Sequence, residues 1–177
     1  MHRVFILISL AAFFWTLAAQ QHGIPPQAQR GRELFAKSEK GACAACHALG
    51  GVGTAVGPDL KTLSSAVGPH GIVMAMHMTL PAYVKEVSLK DGSSFPAMEK
   101  GAQGDQTEFW DLSQTPPAAR KVATKDIGAS KQSTTWKHPP ATIEYTSQEL
   151  ADIVGFLKWA STGSSRLIKP EDVEEAK

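Results

Sequence analysis

The feature that most constrains this chain is the segment Gly41–Gly50, GACAACHALG, which contains both of its cysteines. Two alanines separate Cys43 from Cys46, and His47 follows the second cysteine directly. Side chains three positions apart lie on the same face of a helical turn. The two thiols therefore project toward one place, and an imidazole stands beside them.

The spacing Cys-x-x-Cys-His is typical of covalent haem attachment. Two thiols on one turn can form thioethers with the two vinyl groups of one porphyrin, and the next residue then offers its imidazole to the iron. Cys43 and Cys46 are thus the predicted attachment residues of haem c, and His47 is the predicted proximal axial ligand. The single motif predicts one haem.

Three other uses of this spacing fit the sequence less well than haem attachment. A disulfide between the cysteines would close a very small loop and leave His47 without a role. A thioredoxin-like redox pair expects a strand before it and a helix after it, whereas the flanks here predict a helix and a glycine-rich loop. A structural zinc site needs four ligands, and the sequence has no second pair of cysteines.

The first nineteen residues have the pattern of a signal peptide. Arg3 precedes an apolar run from Val4 to Leu17, and Ala18 and Ala19 supply small residues at the expected cleavage position. This run is shorter than the roughly 20 residues that span a bilayer, although a retained anchor stays open as the alternative. The expected location is periplasmic or otherwise exported. With 18 basic and 17 acidic residues, the chain offers no basic patch for nucleic acid.

Helices are predicted at both ends of the remaining chain. Residues 20–27 form a proline-containing spacer, and GRELFAKSEK after it has the pattern of a short helix. TSQELADIVGFLKWAS predicts a longer helix, because Thr146 and Glu149 form a capping box and apolar residues recur at helical spacing. Residues 163–177 lack periodicity and predict a mobile tail.

The middle of the chain has a β-type pattern. Three runs, YVKEVSLKDGSSFPAM, QTEFWDLSQ and RKVATKDI, are separated by turn residues, and Asp91-Gly92 is a candidate hairpin turn. We expect a small antiparallel sheet inserted at about residues 81–128.

Several of these segments resemble the class I c-type cytochromes of the bacterial periplasm. GRELFAKSEKGACAACHALGGVG resembles their first helix and haem-binding segment, and YTSQELADIVGFLKWAS resembles their C-terminal helix. VGPDL resembles the loop in which a proline, here Pro58, presents its carbonyl to the proximal histidine. The β-containing middle is similar to an insertion found in haem-binding domains that accompany periplasmic dehydrogenases.

This resemblance implies a fold class. The expected fold is mainly α, a cytochrome c fold at residues 28–162 in which the N- and C-terminal helices cross around a covalently bound haem, with a small antiparallel β insertion. It also implies an electron-transfer protein without catalytic residues.

The resemblance leaves the sixth iron ligand open. Relatives usually supply a methionine shortly before the last helix, but WKHPPATIEYTSQ has none there, and His138 occupies the corresponding place. His138 is therefore the predicted distal ligand. An open five-coordinate iron is one alternative to His138. The competing ligands are four methionines and a second histidine: Met74, Met76, Met78, Met98 and His77.

The predicted function is a periplasmic mono-haem cytochrome that carries single electrons. Its expected partners are a periplasmic dehydrogenase, a quinol-oxidising complex or a terminal oxidase, with contact to the membrane only if the N-terminal segment is retained. One alternative is a haem subunit docked to a larger redox enzyme. Another is a small haem peroxidase or gas sensor, which would require the sixth ligand to be absent or labile.

Overall fold

The structure is a computed structural model that describes residues 23–37, 43–78, 81–139 and 144–174. The predicted signal peptide, residues 1–19, lies outside the described residues. None of the helices in the described ranges combines the length and the apolar character needed to cross a bilayer.

Two helices from opposite ends of the chain cross and form the centre of the helical part. The first begins one residue after Pro25 and the last is introduced by the predicted capping box of Thr146 and Glu149, which is present. Gly31 lies against the backbone of Asp152 so closely that a Cβ would overlap its carbonyl. The helices of the described residues are α1 Pro26–Ala36, α2 Cys43–Cys46, α3 Leu60–Ala66, α4 Pro69–Met76 and α5 Ser147–Thr162.

Helix α1 begins inside the stretch expected to be a spacer, because a proline is tolerated in the first turn of a helix, where its missing N–H has no intrahelical acceptor. The buried Gln27 side chain near this start forms two hydrogen bonds with the backbone of Ile168, one donated at 2.7 Å and one accepted at 2.9 Å. Ile168 and Val173 are buried in the helical core. The described part of the C-terminal segment is therefore packed, which differs from the mobile tail predicted for it.

The middle of the chain forms a five-stranded antiparallel sheet with the order β4-β3-β2-β1-β5. The expected fold class, mainly α with a small β insertion, is therefore wrong, since this sheet is a major part of the described structure. The Asp91-Gly92 turn joins the first two strands, as predicted. The strands are β1 Lys85–Leu89, β2 Ser94–Gln103, β3 Gln106–Asp111, β4 Ala118–Ala123 and β5 Ile127–Gln132.

The sequence pattern understated the sheet for two physical reasons. β2 continues past Met98 through a register shift between Glu99 and Gly101, where exposed residues give no alternating pattern. β5 is an edge strand of small and polar residues that pairs only with β1, and edge strands need little apolar character. Neither segment is distinguishable from a loop by hydrophobic periodicity alone.

The sheet contributes to two separate apolar clusters. One lies within the sheet itself, and the other lies where the sheet meets the haem-motif segment and the loop before α5. The first contains Val87, Phe95, Ala97, Phe109 and Val122, and the second contains Val56, Val84 and Leu112 with Cys46, Met98, Trp110 and Trp136 packed against them. The sheet therefore packs against the segment that carries the Cys-x-x-Cys-His motif.

Candidate functional site

The motif residues lie on one helical turn, as their spacing predicts. Cys43 and Cys46 begin and end α2, and the His47 amide donates to the Cys43 carbonyl at 2.8 Å. The following loop folds back onto this turn, because the amides of Val56 and Gly57 both donate to the Cys46 carbonyl. A Cβ at Gly57 would lie only 2.5 Å from the His47 ring, so the absence of a side chain there lets the loop approach the imidazole.

A cavity of about 270 Å³ opens beside α2, between the crossed helices and the sheet. Its lining is mostly apolar, and the polar side chains that reach it include two imidazoles. The motif residues line it together with side chains from all parts of the fold: Cys43, Cys46 and His47 with Phe35, Ile72, Ile153 and Leu157 from the helices, Met98 from β2, Leu112 from directly after β3, and Trp136 and His138 from the loop before α5.

The His47 ring is held by the main chain. Its Nδ1 lies 2.9 Å from the Pro58 carbonyl, which is the contact expected from the cytochrome resemblance. A carbonyl is only an acceptor, so Nδ1 donates its proton and the lone pair is on Nε2. Burial lowers the pKa of His47, more than the Pro58 carbonyl raises it. Burial therefore favours the neutral form of the ring, which is the form that binds metals.

The His138 ring is held in a similar way from the other side. Its Nδ1 lies 2.9 Å from the carbonyl of Met76, the last residue of α4. Burial also lowers the pKa of His138. The centroids of the His47 and His138 rings are 6.3 Å apart, and their planes are inclined by 85°.

This separation matches a shared metal ion. An imidazole nitrogen lies about 2 Å from the metal that it binds. Because the ring centroid lies about 1 Å behind that nitrogen, two imidazoles on opposite sides of one metal ion have centroids about 6 Å apart. The structure thus brings together the two histidines predicted as axial ligands, with both Nδ1 atoms occupied by backbone acceptors.

The competing distal residues are divided between cavity and surface. Met76, Met78 and Met98 line the cavity. Met74 does not line it and is 55% exposed, and His77 is an exposed residue at the end of α4. Among the residues predicted as distal ligands, His138 is the one whose ring faces His47.

The environment of the two thiols differs from that of a redox pair. Neither cysteine forms a disulfide, and burial raises the pKa of Cys43 to about 11 and also raises that of Cys46. Redox-active Cys-x-x-Cys pairs have lowered thiol pKa values, so this environment does not suit thioredoxin-like chemistry. No group of three or more His, Cys, Asp or Glu side chains that could hold a metal ion occurs in the described ranges.

Two features of the site were not predicted from the sequence. One is the Met76 carbonyl, since a backbone acceptor has no residue signature. The other is Tyr145, which lies beside Cys43; burial is the main cause of its raised pKa, and the neighbouring thiol adds to it. The sequence contained one signal for a packed Tyr145, which is its position directly before the cap residue Thr146. A residue at that position often packs against the start of the helix.

The cavity, the two thiols in its lining and the paired imidazoles fit a haem attached through the motif. Residues 28–114 match the family model Cytochrome c, which confirms the resemblance to c-type cytochromes; the class I assignment stays a prediction. The match begins in α1 and ends after β3, so β4, β5, His138 and α5 lie beyond it. A search of curated proteins found no match to the chain.

Proposed function

This chain is a c-type cytochrome, and its residues 28–114 match the Cytochrome c family model. From this premise we propose that it is an exported carrier of single electrons with one haem and two histidine ligands. The family is one of haem-based electron-transfer proteins with covalently bound haem c. The observation that carries the finer proposal is the pair of imidazoles, His47 and His138, whose centroids are 6.3 Å apart across an apolar cavity.

Each residue of the site has a distinct part in this function. Cys43 and Cys46 would form the two thioethers, and His47 and His138 would bind the iron through Nε2. When bound, the haem supplies an iron couple that gains and loses one electron. The apolar side chains around the cavity exclude water, and the Pro58 and Met76 carbonyls hold both imidazoles in place.

Two fixed histidine ligands favour electron transfer over catalysis. A carrier works best when its ligands stay in place in both oxidation states, because little of the protein then has to rearrange with each electron. A six-coordinate iron also leaves no position for peroxide or a gas to bind. Since a methionine thioether raises the potential and a second imidazole does not, we expect a lower potential than in a relative with one histidine and one methionine.

The experiment is an absorption spectrum of the oxidised holoprotein, from the ultraviolet into the near infrared, together with its intact mass. We expect the added mass of one haem, a low-spin iron and no sulfur-to-iron charge-transfer band. A charge-transfer band would contradict ligation by His138. Rapid binding of carbon monoxide by the reduced protein would instead favour the peroxidase or gas-sensor alternative. A matched variant, His138→Met, should gain the band and have a raised potential.

The setting of this function is also a proposal. The pattern of residues 1–19 supports export to the periplasm, where a dehydrogenase or quinol-oxidising complex would donate the electron and a terminal oxidase or another acceptor would take it. Subcellular fractionation of the native host tests the location. Recovery of the protein in the cytoplasmic fraction would contradict it.

A second candidate function follows from the size of the sheet. Five strands with a core of their own are more than is needed to wall a haem cavity, and they could dock the protein as a haem subunit onto a larger redox enzyme. Purification from the native host distinguishes the two functions. A stoichiometric partner would favour the subunit, and an isolated monomer that reacts reversibly with several donors would favour the carrier.

A further inference from the structure

The C-terminal end of α4 presents a backbone acceptor to the distal side of the cavity. The last carbonyls of a helix have no intrahelical donor. Here the carbonyls of Val73 and Ala75 accept hydrogen bonds from the two backbone amides that directly follow α4. The Met76 carbonyl accepts instead from His138 Nδ1 at 2.9 Å. Ile72 and Val73 are buried in the helical core, so the position of this carbonyl is set by a packed helix.

The geometry points to a positioning role for Met76 that is carried by its main chain and not by its sulfur. We propose that its carbonyl makes the distal position selective for a neutral imidazole that bears an N–H group. This inference rests on the proposed ligation of iron by His138. Met76 thereby has a part in the site that differs from the ligand role for which its side chain was a candidate.

The selectivity follows from the chemistry of the acceptor. A carbonyl at the C-terminus of a helix carries part of the negative end of the helix dipole, and it can only accept a hydrogen bond. The Nδ1–H tautomer of histidine satisfies this carbonyl while its Nε2 lone pair remains free for a metal. A thioether has no donor, so a methionine in place of His138 would leave the acceptor without its hydrogen bond.

The same contact determines how the ring is rotated. A histidine bound only through Nε2 could turn about the metal–nitrogen bond, but a hydrogen bond from Nδ1 to a fixed carbonyl selects one orientation. The Pro58 carbonyl does this for His47 and the Met76 carbonyl for His138. The result is the 85° angle between the two ring planes, which we expect to persist in the haem-bound protein.

The selectivity can be tested by replacing the His138 side chain with a free ligand. In the holoprotein of His138→Ala, imidazole and 1-methylimidazole are titrated separately and the low-spin spectrum is followed. Both can bind iron through a ring nitrogen, but only imidazole keeps an N–H for the Met76 carbonyl. The ratio of the two affinities for the variant is divided by the same ratio measured with free haem in detergent micelles. After this correction, imidazole should bind about three- to tenfold more tightly than 1-methylimidazole.

Equal normalised affinities would overturn the inference, because the carbonyl would then contribute nothing to selection. A methionine that occupies the iron in the variant does not disturb the comparison, since both ligands displace the same group. His77→Ala is the matched control. It removes an exposed histidine next to Met76 and should leave the spectrum of the oxidised protein unchanged.

The orientation can be tested on the unaltered holoprotein, which covers the case in which His138→Ala does not mature. Nearly perpendicular imidazole planes give low-spin ferric haem a strongly anisotropic electron paramagnetic resonance spectrum with one large g value. Parallel planes give a rhombic spectrum, which would overturn the positioning role while leaving ligation by two histidines intact. Evidence for a sulfur ligand in the same sample would instead contradict the proposed function itself.

Discussion

The helical part and the sheet differ in how each fills its own interior. Four apolar side chains of the helical core, Phe35, Ile72, Ile153 and Leu157, also line the cavity. The cluster within the sheet includes Phe95 and Phe109, whose rings meet edge to face with centroids 5.9 Å apart, and none of its buried members lines the cavity. The helices thus surround a space that a haem would fill, whereas the sheet packs without one.

This difference predicts two levels of dependence on haem. Apolar side chains around an unfilled cavity lose van der Waals contacts, so the helical part needs its cofactor for a complete core. The cluster within the sheet needs only its own side chains. Four variants test the two regions.

The largest effect is expected from Cys43→Ala with Cys46→Ala, which removes both attachment points. The protein made without covalent haem should lose about 4 kcal/mol or more of stability in the helical part, as on removal of a tightly bound ligand. Hydrogen exchange measures it: amides of α1 and α5 should lose protection while those of β2 and β3 keep it. Equal loss in both parts would contradict the comparison.

Phe109→Ala should act on the sheet. Phe109 is 2% exposed, and truncation of a buried phenylalanine costs about 3 kcal/mol. The free energy of unfolding should fall by this amount while the haem spectrum stays the same. Phe35→Ala is the matched control, because Phe35 is equally buried but lines the cavity. It should change the haem spectrum as well, and an altered spectrum in Phe109→Ala would show that the two regions are coupled.

Gly31→Ala should separate the crossed helices. The added methyl group would overlap the Asp152 carbonyl and approach Phe156, and overpacking of this kind costs about 2 kcal/mol. Thermal unfolding of the holoprotein checks the loss. Gly68→Ala adds the same group where no atom lies within 4 Å, and it should change the melting temperature far less.

The smallest effect is expected from Asp111→Asn at the end of β3. Partial burial of Asp111 raises its pKa, but hydrogen bonds from Ser113 and the Arg120 ion pair at 3.2 Å outweigh this and lower the pKa overall. The charge therefore stabilises the fold above the unfolded pKa of about 3.9, and this contribution is lost as the pH falls through the folded pKa. The loss at neutral pH should be below about 1 kcal/mol, because Arg120 is partly exposed.

Denaturation curves at neutral pH and near pH 3 measure that effect. The difference between Asp111→Asn and the unaltered protein should shrink at the lower pH, since the carboxylate is then partly protonated in both the folded and unfolded chains. A constant difference would mean that the hydrogen bonds act without the charge.

Some parts of this molecule could be predicted from its sequence because their cause is local. The capping box of Thr146 and Glu149 depends on residues three positions apart, and the spacing of Cys43 and Cys46 fixes their common face. The Cys-x-x-Cys-His motif also indicated the resemblance to c-type cytochromes. The size of the sheet was not, because the polar edge strand β5 is stabilised by its pairing with β1 and not by its own pattern.

The distal side shows the same limit at a longer range. His138 was predicted as a ligand from its place before the last helix, and that role stays a prediction. Its contact with Met76 joins residues 62 positions apart through a main-chain oxygen, so no side-chain pattern could reveal it. The packed C-terminal segment was missed for a similar reason, since Gln27 and Ile168 meet only in the folded chain.

The use of main-chain oxygens to hold both imidazoles has a consequence for how this protein can vary. The hydrogen bond to His138 makes no demand on the side chain of residue 76, because every amino acid brings the same carbonyl. The length of α4 is not free in this way. Insertion or deletion of one residue would turn the terminal acceptor by about 100° around the helix axis, so relatives that keep a histidine at this place should tolerate substitutions in α4 far better than changes in its length.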